Sequence, residues 1–177
     1  DARLDFVNVH PPDHAMRAEL IQKTEALLAD LDVLVCANYQ AQGVFTAETT
    51  GALNRMALSN PSKWFIADSR EQIEQFTQMV IKPNEIEARG WLSVPGRQAE
   101  LGLEELKAAG LAPARKSDRP FFITLAERGV LVFAQDRVEH IPTVPAIPPI
   151  DPVGAGDTFL ASIAAGLAAQ ATPVEAA

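Results

Sequence analysis

Leu31-Asp32-Val33-Leu34-Val35-Cys36-Ala37 is a short, almost unbroken apolar run, and its reading decides the fold class. A strand that alternates apolar with polar residues wets one face, whereas one that does not is covered on both, as in a parallel sheet between helices. The flanking segments supply those helices. Upstream, Met16, Leu20, Leu27, Leu28 and Leu31 recur at helical spacing and predict an amphipathic helix over 15–29 with these residues inward. Downstream, 38–43 is loop, Thr46 is placed to cap a helix reaching about Leu58 with Leu53, Met56 and Ala57 on its apolar side, and Asn60-Pro61 stops it.

The alternation continues. Trp64 to Ala67 is a second strand, ending in Asp68-Ser69, which reads as the cap of a short helix through Ile73 and Phe76. Met79 to Ile81 is a third, followed at once by Lys82-Pro83-Asn84-Glu85-Ile86-Glu87, a polar cluster at a strand's carboxyl end, where open α/β sheets bind ligands. A loop over 90–95 precedes a helix over 101–109 with Leu103 and Leu106 inward. Phe121 to Thr124 and Val130 to Phe133 are joined by the short turn Leu125-Ala126-Glu127-Arg128-Gly129, so they form an antiparallel hairpin that 138–141 extends. At the start, 3–9 alternates as a short strand that His10-Pro11-Pro12-Asp13 breaks; near the end, Pro142, Pro145, Pro148 and Pro149 make a stiff connector. The whole is an α/β layered fold with a mainly parallel sheet flanked by helices, plus an antiparallel hairpin, in one domain over 1–177.

Composition limits the partners. A net charge of -8 without a Lys/Arg cluster argues against nucleic acid and anionic membranes, and leaves a small molecule bound by backbone amides and one or two cations. Cys36 is the single cysteine, so neither a disulfide framework nor a cysteine metal site arises within one chain, and it reads as a small core residue in a reducing, cytoplasmic setting. The chain does not begin with methionine, which suggests a piece of a longer protein.

Asp151-Pro152-Val153-Gly154-Ala155-Gly156-Asp157-Thr158-Phe159 carries the chemistry. Two glycines spaced by one small residue lead from a loop into an alanine-rich helix. Glycines let backbone N–H groups approach an anion, and a helix N-terminus adds unpaired donors and a positive dipole end. Asp157, stabilised as the anion by that dipole, is placed to accept a proton from an attacking hydroxyl beside a phosphate. The expectation is phosphoryl transfer to an alcohol.

Three motifs in this order resemble the ribokinase-like, or PfkB-type, carbohydrate kinases: Asn84-Glu85-Ile86-Glu87, similar to the family's Asn-x-x-Glu; Thr124 to Gly129, similar to its Thr-Leu-Gly-x-x-Gly turn; and Asp151 to Asp157, its Asp-x-x-Gly-Ala-Gly-Asp signature. Arg3-Leu4-Asp5-Phe6 and the region around Asn38-Tyr39 look most like the kinase domain of heptose-phosphate kinase and ADP-heptose synthase enzymes. The resemblance implies an ATP- and magnesium-dependent kinase acting on a sugar or sugar phosphate. It implies that Asp157 is the base, that the turn over Gly154, Ala155, Gly156 and Asp157 forms the anion hole, and that Asn84 and Glu87 act on phosphate and on magnesium through water. Thr124 and Gly129 would line the nucleotide site, and Asp151 with Val153 would hold a monovalent cation such as potassium. Subunits of the family often pair as dimers through a lid.

There are departures. Ala126 stands where the family usually has glycine, so a positive φ there would be strained. Pro152 replaces a frequent threonine. The family's N-terminal glycine pair and the segment completing its adenine pocket have no match, so the expectation is a partial kinase domain lacking much of the sugar-binding part. A catalytically silent nucleotide- or sugar-binding relative is the alternative. Read from the residues alone, Asn84 is a helix N-cap with a solvated Glu87, and Lys82 a solvated surface lysine. Trp64 and Phe65 pack in the sheet, His10 and His14 lie in a surface loop, and Asn38 and Tyr39 sit where a sugar would be faced.

Overall fold

The computed structural model of the chain describes residues 10–40, 42–92, 102–144 and 153–177. Within them the order is α1 (His14–Leu27), β1 (Val33–Asn38), α2 (Ala47–Ser59), β2 (Trp64–Ser69), β3 (Val80–Ile81), α3 (Glu85–Trp91), α4 (Leu103–Lys116), β4 (Phe121–Thr124), β5 (Val130–Ala134), β6 (Arg137–Ile141) and α5 (Ala155–Ala168). The six strands form one sheet in sequence order. β1 to β4 run parallel, and β5 and β6 add on antiparallel. The α/β class, the parallel set and the hairpin are as the sequence predicts; the strand expected over 3–9, most of the proline connector and Asp151 lie outside the described residues.

Continuous apolar runs serve two cores. On one face Phe65, Ala67, Ile81, Phe121, Ile123, Leu131 and Phe133 pack under α2, α3 and α4; on the other Ile66, Val80, Phe122, Val130 and Val132 meet Leu160, Ile163 and Leu167 of α5. Side chains of a strand point alternately to the two faces, so a helix on each side demands an apolar residue at every position. Burial pushes the Cys36 thiol up to about 12, as suits a core residue.

Several expectations are corrected. β1 is an edge strand of the described sheet, and Val35 is 39% exposed. α1 buries none of its residues: Met16 and Leu27 are 62% and 57% exposed, only Ile21 packs partly on the core, and Leu28 is buried in the 3₁₀ turn (Leu28–Asp30) that follows. Asp68-Ser69 does not cap a helix. β2 runs through both, and only a 3₁₀ turn (Ile73–Gln75) follows, entered through Gln72 at φ 65°. Gly90 belongs to α3, not to a loop. α4 passes 109 and carries Pro113 within it, because Leu106, Gly110 and Ala114, spaced by four, keep one face buried on the sheet. A Cβ at Gly110 would stand 2.4 Å from the Phe133 ring, which itself stacks on Phe121 at 4.4 Å. Phe65 is fully buried, and Trp64 packs at the sheet with Arg119 over its ring, as expected.

Candidate active site

The parallel strands deliver their last residues to one edge of the sheet: Asn38 from β1, Asp68 and Ser69 from β2, Lys82 just after β3, and Thr124 from β4. The glycine turn enters α5 at the same edge. Gly154 takes φ 79°, and a Cβ there would touch nothing within 4 Å, so glycine is used for its left-handed backbone rather than for space. α1, α2 and α3 begin with side-chain caps from Asp13, Thr46 and Asn84, but Gly154 brings none. The amides of Ala155, Gly156 and Asp157 occupy the first turn, where an α-helix offers no internal acceptor, and the first helical bond is Thr158 N–H to Gly154 O at 2.9 Å. That end of α5 favours an anion.

Lys82 is 4% exposed, and its ammonium donates to Asp68 Oδ2 at 2.8 Å, which corrects its reading as a solvated lysine. Its backbone N–H pairs with Ala67 O, continuing β3 beside β2 and holding the side chain in the site. A Cβ added to Gly156 would lie 3.8 Å from Lys82 Nζ, so a buried cation stands under the α5 turn. A clue lay in the sequence: a lysine directly after a fully apolar strand, with an aspartate ending the neighbouring strand.

Asn84 is the N-cap of α3: its Oδ1 accepts from Glu87 N–H at 2.9 Å, and its own N–H donates to Glu87 Oε2 at 2.8 Å. The capping reading of Asn84 holds; that of a solvated glutamate does not. Burial is the main influence pushing the Glu87 carboxyl above the usual range, and Asp68 adds to it, against the Asn84 amide, Lys82 and Arg70. Glu85 beside it carries both Arg89, at 2.5 Å, and Arg128. Burial acts to raise Glu85, but these two guanidiniums prevail and hold it below the usual range.

Asn84, Thr124, Ala126, Gly129, Ala155, Gly156 and Phe159 share the wall of one cleft of about 710 Å³ between the β4–β5 turn and α5. The turn is tightly built. Gly129 takes φ 92°, and a Cβ there would come within 2.0 Å of Ile141 O. Ala126 takes φ 51°, the left-handed backbone foreseen as strained for a non-glycine residue. The site candidates thus fall into groups. Asn84, Thr124, Gly129, Ala155 and Gly156 share the cleft; Glu87 turns back to the Asn84 amide; Val153 is exposed; and Asp151 lies outside the described residues.

Asp157 meets Tyr39, whose phenol O–H donates to Asp157 Oδ1. Asn38 is buried with its amide donating to Ser69 Oγ at 3.1 Å, so Tyr39, the residue after β1, and not Asn38, reaches into the site. His14 does not lie in the loop but opens α1 and contacts Glu48 at 3.1 Å. Among the described residues, no three His, Cys, Asp or Glu side chains gather as a metal cluster, and no helix is long and apolar enough to cross a membrane.

The whole chain, residues 1–177, matches the family model described as pfkB family carbohydrate kinase. The bifunctional protein HldE of Azorhizobium caulinodans is 30% identical over 168 residues, which are 94% of this chain and 34% of that protein. That of Shewanella sp. (strain W3-18-1) is 32% identical over 174 residues, with 96% and 34% covered. The chain therefore spans about a third of the length of these relatives. Among solved structures, phosphofructokinase-2 from Escherichia coli in complex with potassium superposes with a TM-score of 0.70 at 20% identity, covering 94% of this chain and 53% of that one. Ribokinase from Arabidopsis thaliana complexed with ribose and ATP gives 0.64 at 16% identity, covering 94% and 50%. At such identities the likeness bears on the fold, and it agrees with the layered arrangement described above.

Proposed function

The chain belongs to the pfkB family of carbohydrate kinases, and from that premise we propose that it serves transfer of the γ-phosphoryl group of ATP to a hydroxyl of a sugar or sugar phosphate. The observation that carries the reading is the convergence of three features at one sheet edge: the uncapped first turn of α5 with Asp157 in it, the buried Lys82 ammonium beneath Gly156, and the cleft beside both.

Each group has a task in that reaction. Asp157 accepts the proton of the acceptor hydroxyl, whose oxygen bonds to the γ-phosphorus as the bond to the β–γ bridging oxygen breaks and ADP departs. The amides of Ala155, Gly156 and Asp157 donate to the oxygens on which charge accumulates, and Lys82 adds a fixed positive charge that needs no reorganisation. Thr124, Gly129 and the apolar wall at Phe159 receive the nucleotide; the cleft volume lies within the range of small-molecule sites, roughly 300–1,000 Å³.

The donor set also suits magnesium, which takes few carboxylates together with phosphate oxygens and water. Glu87 and Asn84 would hold it through water, and it would neutralise phosphate charge when bound. Asp151 and Val153 remain our candidates for a monovalent cation. For the acceptor we commit only to a hydroxyl on a sugar or sugar phosphate.

The test is ADP release over a panel of sugars and sugar phosphates, with Asp157→Asn as the variant. We expect it to keep nucleotide binding and folding while turnover falls by roughly 10²–10⁴-fold. Turnover retained by the variant refutes the role of Asp157; nucleotide binding without turnover in the wild type returns the silent relative.

A further inference from the structure

Tyr39 is the only tyrosine of the chain, and it stands on a rigid base. Asn38, before it, is buried and bonded to Ser69 Oγ, while the carbonyl of Asn38 accepts from Arg70 N–H at 3.2 Å. The Arg70 guanidinium lies 5.5 Å from the centroid of the Tyr39 ring, a cation–π contact. The ring is half exposed, and its hydroxyl reaches a carboxylate 118 positions away in sequence. Three charged groups face it: Asp157 from α5, Asp68 from the end of β2, and Arg70 from the segment that follows.

We propose that Tyr39 is the positioning residue for Asp157: its O–H donates to Oδ1, fixes the carboxylate at the first turn of α5, and leaves Oδ2 to take the acceptor proton. This rests on the reading of Asp157 as the base. A carboxylate at the third position of a helix swings between rotamers and is drawn back to the N-cap amide, as Glu87 is to that of Asn84. A donor from another element, itself held by a buried Asn–Ser contact and a guanidinium, keeps it out of that well. The phenol must remain protonated to do so, and it does: the hydrogen bond to Asp157, then burial and the charges of Asp157 and Asp68, push it up to about 12, against Arg70. At neutral pH Tyr39 is a donor and never a rival base.

Because the chain has one tyrosine, selective ¹³Cζ-tyrosine labelling yields a single resonance that reports this contact without any turnover. With folding monitored by circular dichroism at each pH, the wild-type resonance should titrate above the ordinary tyrosine value of about 10, and in Asp157→Asn its midpoint should fall toward that value. A midpoint unmoved by Asp157→Asn overturns the pairing.

The kinetic arm uses Tyr39→Phe, which keeps the ring and the Arg70 contact. We expect kcat to fall roughly 10-fold, as for loss of a hydrogen bond to a charged group. KM for ATP should be unchanged, since the ring and the Arg70 contact stay and only the donor to the carboxylate has gone. A Tyr39→Phe enzyme with wild-type kcat, or one whose KM for ATP rises while kcat holds, overturns the positioning role. The arms fail separately: absence of ADP from the wild type overturns the kinase reading and with it the catalytic use of Tyr39, while the resonance still decides whether the two residues are paired.

Discussion

Replacement of Lys82 by methionine separates what the buried ion pair does for the fold from what it does for chemistry. Lys82 is 4% exposed and its partner Asp68 17%, with 2.8 Å between ammonium and carboxylate. At an effective dielectric of about 20, two unit charges at that distance attract by about 6 kcal/mol. Most of this is offset by the water both ions gave up, which is why a buried pair contributes little net but costs about 3–5 kcal/mol when one partner is removed. Asp68 keeps some access to water and can partly rehydrate, so we expect Lys82→Met to lose about 2–3 kcal/mol. In a domain of this size that is a fall in Tm of roughly 5–10 °C. Asp68→Asn with Lys82→Met removes the orphaned charge and should recover most of the loss, since contacting residues are not additive. Neither variant should transfer phosphoryl groups, because the cation under Gly156 is absent from both. Urea unfolding followed by tryptophan fluorescence, paired with ADP release, reads the two effects. A single variant as stable as the wild type, or a double variant less stable than the single, refutes the ion-pair reasoning; turnover restored in the double variant refutes the role of Lys82 in catalysis.

Two further predictions concern the β4–β5 turn and the start of α3. Ala126→Gly should stabilise the protein by about 0.5–1 kcal/mol, because the left-handed backbone costs a non-glycine residue about 1–2 kcal/mol and glycine's added freedom in the unfolded chain returns part of that; Ala126 is exposed, so no packing is lost, and an unfolding midpoint that falls counts against a positive φ there. Glu87→Gln should preserve the α3 cap, as glutamine still accepts from the Asn84 amide, and should alter the pH dependence of stability. The folded-state pKa of Glu87 is raised, chiefly by burial, so its destabilising ionisation is absent below the unfolded value of about 4.3 and develops as pH rises through the higher folded value. The variant should therefore match the wild type near pH 4 and gain on it toward pH 7, with magnesium-dependent turnover lost; equal stability of the two proteins at neutral pH refutes the burial argument.

Local patterns determined a good part of this protein. Apolar runs with no alternation, as in Phe121-Phe122-Ile123, announced a sheet covered on both faces. The short turn over 125–129 required the antiparallel hairpin, and Asn84 and Thr46 announced the caps they provide. The glycine turn over 154–156 and the acid after it were legible for the same reason: a left-handed residue before a helix is a property of the backbone at that place. What local pattern could not reach was anything set by a neighbour distant in sequence. Helical spacing gave Met16 and Leu27 an inward face, but α1 lies at the edge of the described sheet and has little core to bury them in.

Lys82 shows the boundary most clearly. Its type and position are in the sequence, yet its burial depends on Asp68 ending the adjacent parallel strand and on Gly156 arriving above it from the far end of the chain. Tyr39 and Asp157 are a pair for the same reason. The sequence by itself determined the elements, their caps and the chemistry of the glycine turn, because these follow from contacts within a few residues. The tertiary structure alone decided which charges are desolvated and which groups touch, because strand order and the landing point of α5 place them together.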